Sequence, residues 1–489
     1  MNLEKSASPE ASGIPSKKIV EFLNYLKDKK MCMHNIMILR GKKIVFEAHY
    51  PPFTKDSLHR MYSITKSFVS MAIGFMIDEG KIALQSRMAD FFPEYIKNET
   101  HSYVKEMTVR DLLLMATPYD TTTYSNDRTD WNKTFYVTEP SHKSGTVFNY
   151  DTSGTVALNA LVEKITGMNL IDYLRPRLFD PLGISAEAWC IERPEGGSWG
   201  GSGLICSTYD LARFGLFMLY RGNWQGKQLI SKSYMEEAAS PLIDNRVTTS
   251  TPEMQFGYGY QIWQTRNNGF CAWGMGTQIA LCLPEKDTLL VTNGDTQSLA
   301  AGQDILLDAF WRFIYPAISE KALPENPPGF SELNATLASL EFPPIEGQKN
   351  SPLQNSIHGK KFMFEENPMK IKWMIFEFGN DAAVIKYENA TGVHEIKFGL
   401  GKYTEGIFPE NHYYGKKIGS PSGRGYRYKA SGSWFNPNSL TFYLYITDNY
   451  FGTLKTNCYF TENTVTIQMT KAAEWFLDEY QGMATGRSR

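Results

Sequence analysis

The chain has 489 residues, too many for one ordinary hydrophobic core, and this length predicts about two to four domains. Hydrophobic residues make up 42% and charged residues 21% of the sequence, which is the balance of a globular protein. The formal net charge of −2 gives no support to a nucleic-acid surface or a polybasic membrane patch, so we expect no nucleic-acid and no membrane partner.

The sequence also gives no support to several classes of site, which we therefore do not expect. The six cysteines are scattered without a CxxC pair, which predicts reduced, mostly buried thiols. The eight histidines form no HxxxH or HExxH pattern, and the chain has no Walker loop and no GxGxxG turn after a strand. We therefore expect no metal and no organic cofactor. The first residues, Met1 to Ser6, lack the apolar core of a secretion signal, so we expect a cytoplasmic protein.

The N-terminal part opens with a helix and a hairpin. Apolar residues at helical spacing predict an amphipathic helix over 15–30, and two strand-like runs over 35–39 and 44–49 are joined by a tight turn. A second helix is predicted over 63–79, with Gly80 as its left-handed stop. It is apolar nearly all round, which is typical of a buried central helix.

Further helices and strands follow as far as residue 314. Helices are predicted from 108 and over 154–167, 171–178, 208–220 and 304–314, and strands over 258–263, 279–283 and 289–292. The polar segment 118–145 shows no periodicity and is predicted to be a long loop, which in a compact domain is usually functional. Its aromatic residues Tyr119, Tyr124 and Trp131 either line a substrate pocket or lie on the surface, and the sequence leaves both open.

The composition changes after residue 325. Prolines concentrate over 326–352, with Pro344 among them, which predicts a linker between a domain at 1–325 and a second at 353–489. The second domain consists of short alternating apolar runs separated by glycine and asparagine turns, as expected for an all-β barrel or sandwich. The predicted fold class is an α/β domain followed by an all-β, barrel-like domain.

Two serine–lysine pairs have a spacing that allows chemistry. Ser63 and Lys66 are three residues apart, which puts both side chains on one helix face, and Ser102 and Lys105 have the same spacing. A lysine amine so placed can take the proton of a serine hydroxyl, which is otherwise a poor nucleophile. The second pair lies in a polar stretch with no apolar helix behind it, so Ser63 is the better candidate.

The start of the buried helix favours Ser63 further. Unpaired backbone N–H groups and the positive end of the helix dipole are found there, and both stabilise a developing oxyanion. Lys66 follows inside an otherwise apolar helix, where burial disfavours the charged form of an amine. The alternative is a capping serine and a lysine that reaches out to solvent.

At this point the chain resembles a known family, the serine β-lactamase and penicillin-binding-protein superfamily, in its branch of esterases, amidases and peptidases. The resemblance covers about residues 15–315 and is carried, in the family's order, by Met61–Phe68, Asp78–Ile82, Thr108–Leu114, Ser144–Tyr150, Gly201–Leu204 and Ser207–Phe214. It implies a β-lactamase-like domain, with an antiparallel sheet flanked by helices and a helical subdomain. The region after residue 350 resembles the lipocalin-like tails of some members.

The resemblance also implies roles for individual residues. Ser63 is the expected nucleophile, and Lys66 and Tyr150 are the expected proton-transfer groups. Thr152 stands where the family often has an asparagine that holds a substrate carbonyl. Candidate oxyanion and substrate-binding positions are Trp273, Gly274, Met275 and Gly276, together with Thr152.

Trp273 occupies the place where the family commonly has a lysine or histidine. Without a cation there, recognition of a β-lactam or peptide carboxylate loses its usual partner. The implied activity is therefore a serine hydrolase acting on small esters, amides or short peptides rather than a penicillin-directed enzyme. A core aromatic is the other reading of Trp273. Acyl transfer to an acceptor other than water, a catalytically silent binding or sensor module on the same fold, and a homo-oligomer also stay open.

Overall fold

The computed structural model describes residues 3–125, 127, 129–343 and 345–488; Met1 and Pro344, which figure in the predictions above, lie outside them. The chain forms two compact units. Unit 1 holds the residues up to Gly294 together with Ala301–Glu341 and Lys416–Ile418. Unit 2 holds Asp295–Ala300, Phe342–Gly415 and the residues from Gly419 onward. The division of the sequence at 325 and 353 stays a prediction, since each unit takes a short segment from the other's part of the chain.

Unit 1 combines helices and strands. Its strands are β1 Glu4–Lys5, β2 Met33–Arg40, β3 Lys43–His49, β4 Leu58–Arg60, β5 Trp189–Cys190, β6 Leu204–Ser207, β7 Asn223–Trp224, β8 Lys227–Gln228, β9 Trp263–Gln264, β10 Phe270–Gly274, β11 Gln278–Leu283 and β12 Thr288–Gly294. Its helices are α1 Ser16–Asp28, α2 Ile64–Asp78, α3 Met88–Phe91, α4 Ser102–Glu106, α5 Val109–Leu113, α6 Trp131–Val137, α7 Thr152–Thr166, α8 Leu170–Leu174, α9 Asp180–Leu182, α10 Thr208–Leu219, α11 Lys232–Ala238, α12 Gly302–Ala309 and α13 Pro327–Ala338.

The main sheet of unit 1 has the strand order β1-β3-β2-β12-β11-β10-β9. Its neighbouring strands are antiparallel except for β1 and β3, which are parallel. Helix α10 packs on β11 and β12, while α1 packs against α12 and α13. A smaller sheet of order β4-β6-β5 lies beside the start of α2. The α/β class of this unit is confirmed.

Helix α2 forms the centre of the hydrophobic core. Its residues from Ile64 to Met76 are all buried, and Gly80, with φ of +69°, ends it in the left-handed conformation. The helix packs against α7 and α8, and its N-terminus contacts β10. The sequence prediction of a buried central helix over 63–79 is confirmed.

Three predicted segments differ in the structure. Helix α6 lies inside the predicted loop 118–145, because the Asp130 side chain caps it and its aromatic residues are buried. Helix α13 lies inside the predicted linker 326–352; its prolines occupy the first turn, where a missing N–H costs nothing. The strand predicted over 258–263 is wrong for most of its length, because Gln261 has a φ of +59° and only Trp263 falls in β9.

Two predicted helices change form before they end. The helices over 171–178 and 304–314 begin as α8 and α12 and continue as wider π-helical turns over Arg175–Phe179 and Phe310–Ile314. The six cysteines are free thiols, all buried except the partly buried Cys190, as predicted. In the described part of the chain, no helix is both long and apolar enough to cross a membrane.

Unit 2 is built from strands that pair antiparallel with their neighbours, except for a parallel pairing of two strands that closes the ring. After the short helix α14 Gln354–Ile357 come β13 Lys361–Phe364, β14 Trp373–Phe378, β15 Ala382–Asn389, β16 Gly392–Leu400, β17 Thr404–Ile407, β18 Arg427–Asn436, β19 Ser439–Thr447, β20 Phe451–Phe460, β21 Thr464–Ala472 and β22 Gly482–Ser488. Neighbours run in the order β16-β15-β14-β13-β22-β21-β20-β19-β18, and β16 pairs with β18 to close the ring. The predicted all-β, barrel-like domain is confirmed; its likeness to a lipocalin stays a prediction.

Candidate active site

Ser63 stands at the N-terminus of α2, directly after a residue in the left-handed region. Tyr62 has a φ of +47°, and its carbonyl accepts hydrogen bonds from the backbone N–H of Thr65 and, at 2.6 Å, from the Thr65 hydroxyl. This turn separates strand β4 from helix α2 by only three residues. Ser63 is half-buried, whereas the residues on both sides of it are buried. Its hydroxyl is therefore presented at the rim of the core.

The Lys66 amine lies against the Ser63 hydroxyl. Lys66 is 1% exposed, and its Nζ lies 3.0 Å from Ser63 Oγ. The same nitrogen donates to the carbonyl oxygen of Gly201 at 2.6 Å. The structure thus brings together the serine and lysine that the sequence singled out. It places Lys105 in a different environment, where its amine is exposed and donates to the carbonyl of Asn98.

Tyr150 completes a three-residue group. The Lys66 nitrogen lies 5.2 Å from the centre of the Tyr150 ring, and the Ser63 side chain lies close enough to the Tyr150 hydroxyl to lower its pKa. Burial raises the pKa of Tyr150, and the contact with Ser63 lowers it by less. The net direction is upward, so Tyr150 is a neutral phenol at physiological pH.

Residues next to Tyr150 fix the start of α7. Asp151 caps this helix: its fully buried carboxylate accepts from the Ser153 N–H at 2.8 Å and from the Thr117 hydroxyl at 2.9 Å. Desolvation raises the pKa of Asp151 despite these hydrogen bonds. Thr152 is the first residue of α7, and its methyl group lies against Gly201, where a Cβ would not fit. The structure places Thr152 beside the carbonyl that Lys66 binds.

The end of strand β10 lies beside the nucleophile. A Cβ on Gly274 would collide with the carbonyl oxygen of Met61, two residues before Ser63. Gly274 pairs with Gln278, and its own carbonyl accepts from the Gln303 side chain at 2.8 Å. Met275 and Gly276 form the turn that follows; Met275 is 38% exposed, and Gly276 has a φ of +77°. Strand β10 therefore ends against the turn that carries Ser63.

Trp273 belongs to an aromatic wall behind Tyr150. Its ring lies 6.5 Å from that of Trp263, which stacks on Tyr150 at 5.3 Å, and Tyr258 and Phe148 complete the cluster. Trp273 is buried, and its indole N–H has no hydrogen-bond partner among the described residues. The sequence analysis did not predict Trp263 as part of the site.

Two aromatic residues of the 118–145 segment, Tyr124 and Trp131, belong to a second stack. Tyr119, Tyr124 and Trp131 are all buried, which excludes the alternative that they lie on the surface. Tyr124 stacks on Trp131 at 4.2 Å, and Trp131 meets Trp199 edge-on at 5.3 Å. The Trp199 ring in turn contacts the buried guanidinium of Arg60. Neither Arg60 nor Trp199 was predicted as part of the site; the Trp-Gly-Gly-Ser-Gly run at 199–203 was the available signal.

One group of described residues has the composition of a metal site, and it lies in unit 2. The ligand atoms of Glu410, His412 and Glu479 are all within 4.8 Å of one another. The buried Glu410 carboxylate, however, already accepts from Asn389 at 2.8 Å and from Thr391 at 3.0 Å. Its charge is thus solvated by protein donors without a cation.

Comparison with known proteins identifies the family. The sequence profile of the beta-lactamase family, described as "Beta-lactamase", matches residues 34–304, more than half of the chain. This protein belongs to the beta-lactamase family. The match includes the segments that carry Ser63, Lys66, Tyr150 and Trp273, as the resemblance seen in the sequence requires.

Individual members of the beta-lactamase family are distant from this chain. A 6-aminohexanoate-dimer hydrolase from Paenarthrobacter ureafaciens is 24% identical over 270 residues, which cover 51% of this chain and 68% of that protein. Beta-lactamase-like protein 2 from Dictyostelium discoideum is 23% identical over 338 residues, 60% of each chain. A solved structure, the putative 6-aminohexanoate-dimer hydrolase from Bacillus anthracis, superposes with a TM-score of 0.50 at 17% identity and covers 64% of this chain and 88% of that one. The last comparison supports the fold.

Proposed function

We propose that this protein is a serine hydrolase that forms an acyl-enzyme on Ser63, with Lys66 and Tyr150 as proton-transfer groups, and that it cleaves amides or esters of small organic acids, including short peptides. The observation that carries the proposal is the buried Lys66 Nζ at 3.0 Å from Ser63 Oγ. A lysine amine held this close to a serine hydroxyl is placed to act as its general base.

The geometry supports a proton route for acylation. Ser63 Oγ attacks the substrate carbonyl carbon, and the proton of its hydroxyl passes to the neutral Lys66 amine. Tyr150, kept as a phenol by its raised pKa, gives a proton to the leaving amine or alcohol as the bond to the carbonyl carbon breaks. The Lys66 ammonium then returns the proton to Tyr150. In deacylation the neutral Lys66 amine takes a proton from the water molecule that attacks the acyl carbon, and it returns that proton to Ser63 Oγ as the acyl–oxygen bond breaks and the acid is released.

Oxyanion stabilisation follows from the position of Ser63. Its backbone N–H lies at the N-terminus of α2, where the helix dipole favours negative charge. The close approach of Gly274 to Met61 supports a second N–H donor from the turn at 274–276. Removing one such donor from an enzyme typically costs a factor of about 100 to 1,000 in rate.

The walls of the site favour an uncharged acyl group. Trp273 stands in the position of the family's usual cation, and Trp263, Tyr258 and Phe148 surround Tyr150 with aromatic surface. An apolar wall of this kind does not compensate the charge of a buried carboxylate. The relative named as a 6-aminohexanoate-dimer hydrolase makes short ω-amino amide oligomers the first amides to assay, beside p-nitrophenyl esters and a chromogenic cephalosporin.

A fluorophosphonate probe tests the nucleophile. We expect the wild-type protein to gain the mass of one phosphonyl group, which is the probe less HF, and Ser63→Ala to gain none under the same conditions, as read by intact-protein mass spectrometry. Ser102→Ala is the matched control, since Ser102 has the same spacing to a lysine, and it should label like the wild type. An unlabelled wild type, or equal labelling of Ser63→Ala, contradicts the proposal.

A further inference from the structure

The Lys66 amine is bound to a backbone carbonyl next to the nucleophile. Its Nζ donates to the Gly201 oxygen at 2.6 Å and lies 3.0 Å from Ser63 Oγ. Any displacement of that carbonyl turns the amine away from the serine. Gly201 has no side chain of its own to fix it, so the position of its carbonyl depends on its neighbours.

Ser202, the next residue, accepts two hydrogen bonds from Arg60. The guanidinium donates through Nε to the Ser202 carbonyl and through a terminal nitrogen to the Ser202 hydroxyl, both at 3.0 Å. The Ser202 and Gly203 N–H groups both donate to the Trp199 carbonyl, at 3.1 and 2.8 Å, so the loop is a tight turn. A two-point bond to one residue of such a turn fixes the peptide that precedes it.

Arg60 is itself immobilised. It is 1% exposed, and its guanidinium lies between the rings of Tyr62 and Trp199, 4.2 and 4.6 Å from their centres. Its strand, β4, pairs with β6, so that Arg60 stands opposite Ile205. Arg60 therefore ties the Tyr62–Ser63 turn to the loop that supplies the carbonyl for Lys66.

From these contacts we propose that Arg60 is a positioning residue for the acylation step: through Ser202 it sets the Gly201 carbonyl, and thereby aims the Lys66 amine at Ser63. This inference rests on the function proposed above. The guanidinium is suited to the task because it is planar and donates in a fork while its faces stack on aromatic rings, which an ammonium cannot do.

The test measures acylation in the full-length protein. Arg60→Lys keeps the charge and loses the fork; we expect its acylation rate constant, from fluorophosphonate labelling or a p-nitrophenyl ester burst, to fall about 10- to 100-fold, the size of effect that a displacement near 1 Å produces. The acid limb of its pH–rate profile should move, since the surroundings of the Lys66 amine change, whereas the dissociation constant of the ester, read from the concentration dependence of the burst rate, should stay within about twofold. A merely structural role would lower the melting temperature without moving the pH profile.

Two further variants complete the experiment. Arg40→Lys is the matched control: that guanidinium also binds backbone carbonyls, of Ser12, Ser319 and Lys286, and it should leave acylation unchanged. Ser202→Ala removes one of the two bonds and should slow acylation less than Arg60→Lys, and the double variant should be no slower than Arg60→Lys alone. If Arg60→Lys does not fold, the rate and pH profile of Ser202→Ala decide.

The outcomes separate the two proposals. A wild type that does not label at Ser63 defeats the proposed function. If the wild type labels at Ser63 but Arg60→Lys reacts at the wild-type rate and with the same pH profile, only the role of Arg60 is overturned. If Arg60→Lys does not fold, the same result for Ser202→Ala overturns that role.

Discussion

Contacts between single residues set the candidate chemistry, and the sequence reveals only those that are local. Ser63 and Lys66 meet because three residues on a helix bring two side chains together, and this could be predicted. The contact of Lys66 with Gly201 spans 135 residues, and that of Arg60 with Ser202 spans 142. Such contacts depend on how the strands β4 and β6 pair, and no local pattern encodes that pairing. Tyr150 was identified only through the family resemblance.

The Tyr150 hydroxyl is the single group whose removal tests the proposed proton route. Tyr150→Phe removes the contact with Ser63 and the proton donor, so we expect kcat/KM to fall by a factor of about 100 to 10,000. The ring still stacks on Trp263, so the melting temperature should change little. Tyr258→Phe, which alters a neighbouring phenol in the same cluster, is the control and should keep most of the activity. An active Tyr150→Phe variant would show that the proton takes another route.

Secondary-structure elements could be predicted where their periodicity is strong. Helices α1, α2 and α10 and strands β2, β3, β11 and β12 lie where the sequence predicts them, because their apolar faces match the burial that the fold imposes. Helices α6 and α13 were not predicted. Helix α6 shows little apolar periodicity, and α13 begins with proline, which usually signals a linker or a turn. The predicted strand over 258–263 began too early, because nothing in the sequence signals the positive φ of Gln261. Local turn conformations of this kind are dictated by tertiary contacts, here by the bonds of the Gln261 side chain to Leu112 and Leu113.

The Asp151 cap of helix α7 should contribute measurably to the free energy of unfolding. Asp151→Ala removes the side chain that accepts the Ser153 N–H, and we expect a loss of about 1–2 kcal/mol in the free energy of unfolding. Asp151→Asn keeps the cap and removes a buried charge.

The stability of Asp151→Asn relative to the wild type should depend on pH in a defined direction. Because desolvation raises the folded-state pKa of Asp151 above its unfolded value near 4, the stabilising contribution of the protonated acid is complete below about pH 4 and is lost as the pH rises. Asp151→Asn should therefore match the wild type at pH 4 and be the more stable protein at pH 7. Denaturant unfolding at both pH values measures the difference, and an Asp151→Asn variant that is less stable at pH 7 contradicts the account.

The molecule as a whole consists of two units whose segments are interleaved along the chain. Residues Asp295–Ala300 follow β12 of unit 1 in sequence but belong to unit 2, and Lys416–Ile418 belong to unit 1, where they exchange backbone hydrogen bonds with Glu192. The general division into an α/β part and a β part was predictable from the change in composition and pattern near residue 325. The interleaving was not, because a segment of three to six residues carries no signal of where it packs.

Asp295 allows a test of the unit 2 segment. It is buried, accepts from the Thr453 hydroxyl at 3.0 Å and from the Gln297 side chain at 3.1 Å, and desolvation raises its pKa to about 6. Since the folded-state pKa lies above the unfolded value near 4, the contribution of the protonated group is complete below about pH 4 and is lost as the pH rises through about 6.

The matching variant is Asp295→Asn. Relative to the wild type it should gain on the order of 2 kcal/mol between pH 4 and pH 7, measured as the difference in unfolding free energy. Asp28→Asn, at an exposed position, is the control and should show no such gain. A stability difference between the Asp295→Asn variant and the wild type that does not change with pH would contradict the buried, partly protonated state of Asp295.

The central claim is that Ser63 carries an acyl group during turnover. The most direct measurement quenches the wild-type protein in acid during hydrolysis of a p-nitrophenyl ester and locates the added mass by peptide mapping. We expect one acyl group, on the peptide that contains Ser63, formed together with a burst of p-nitrophenol close to one equivalent. Turnover of the same ester with no acyl group on that peptide, or with the group on another residue, would contradict it.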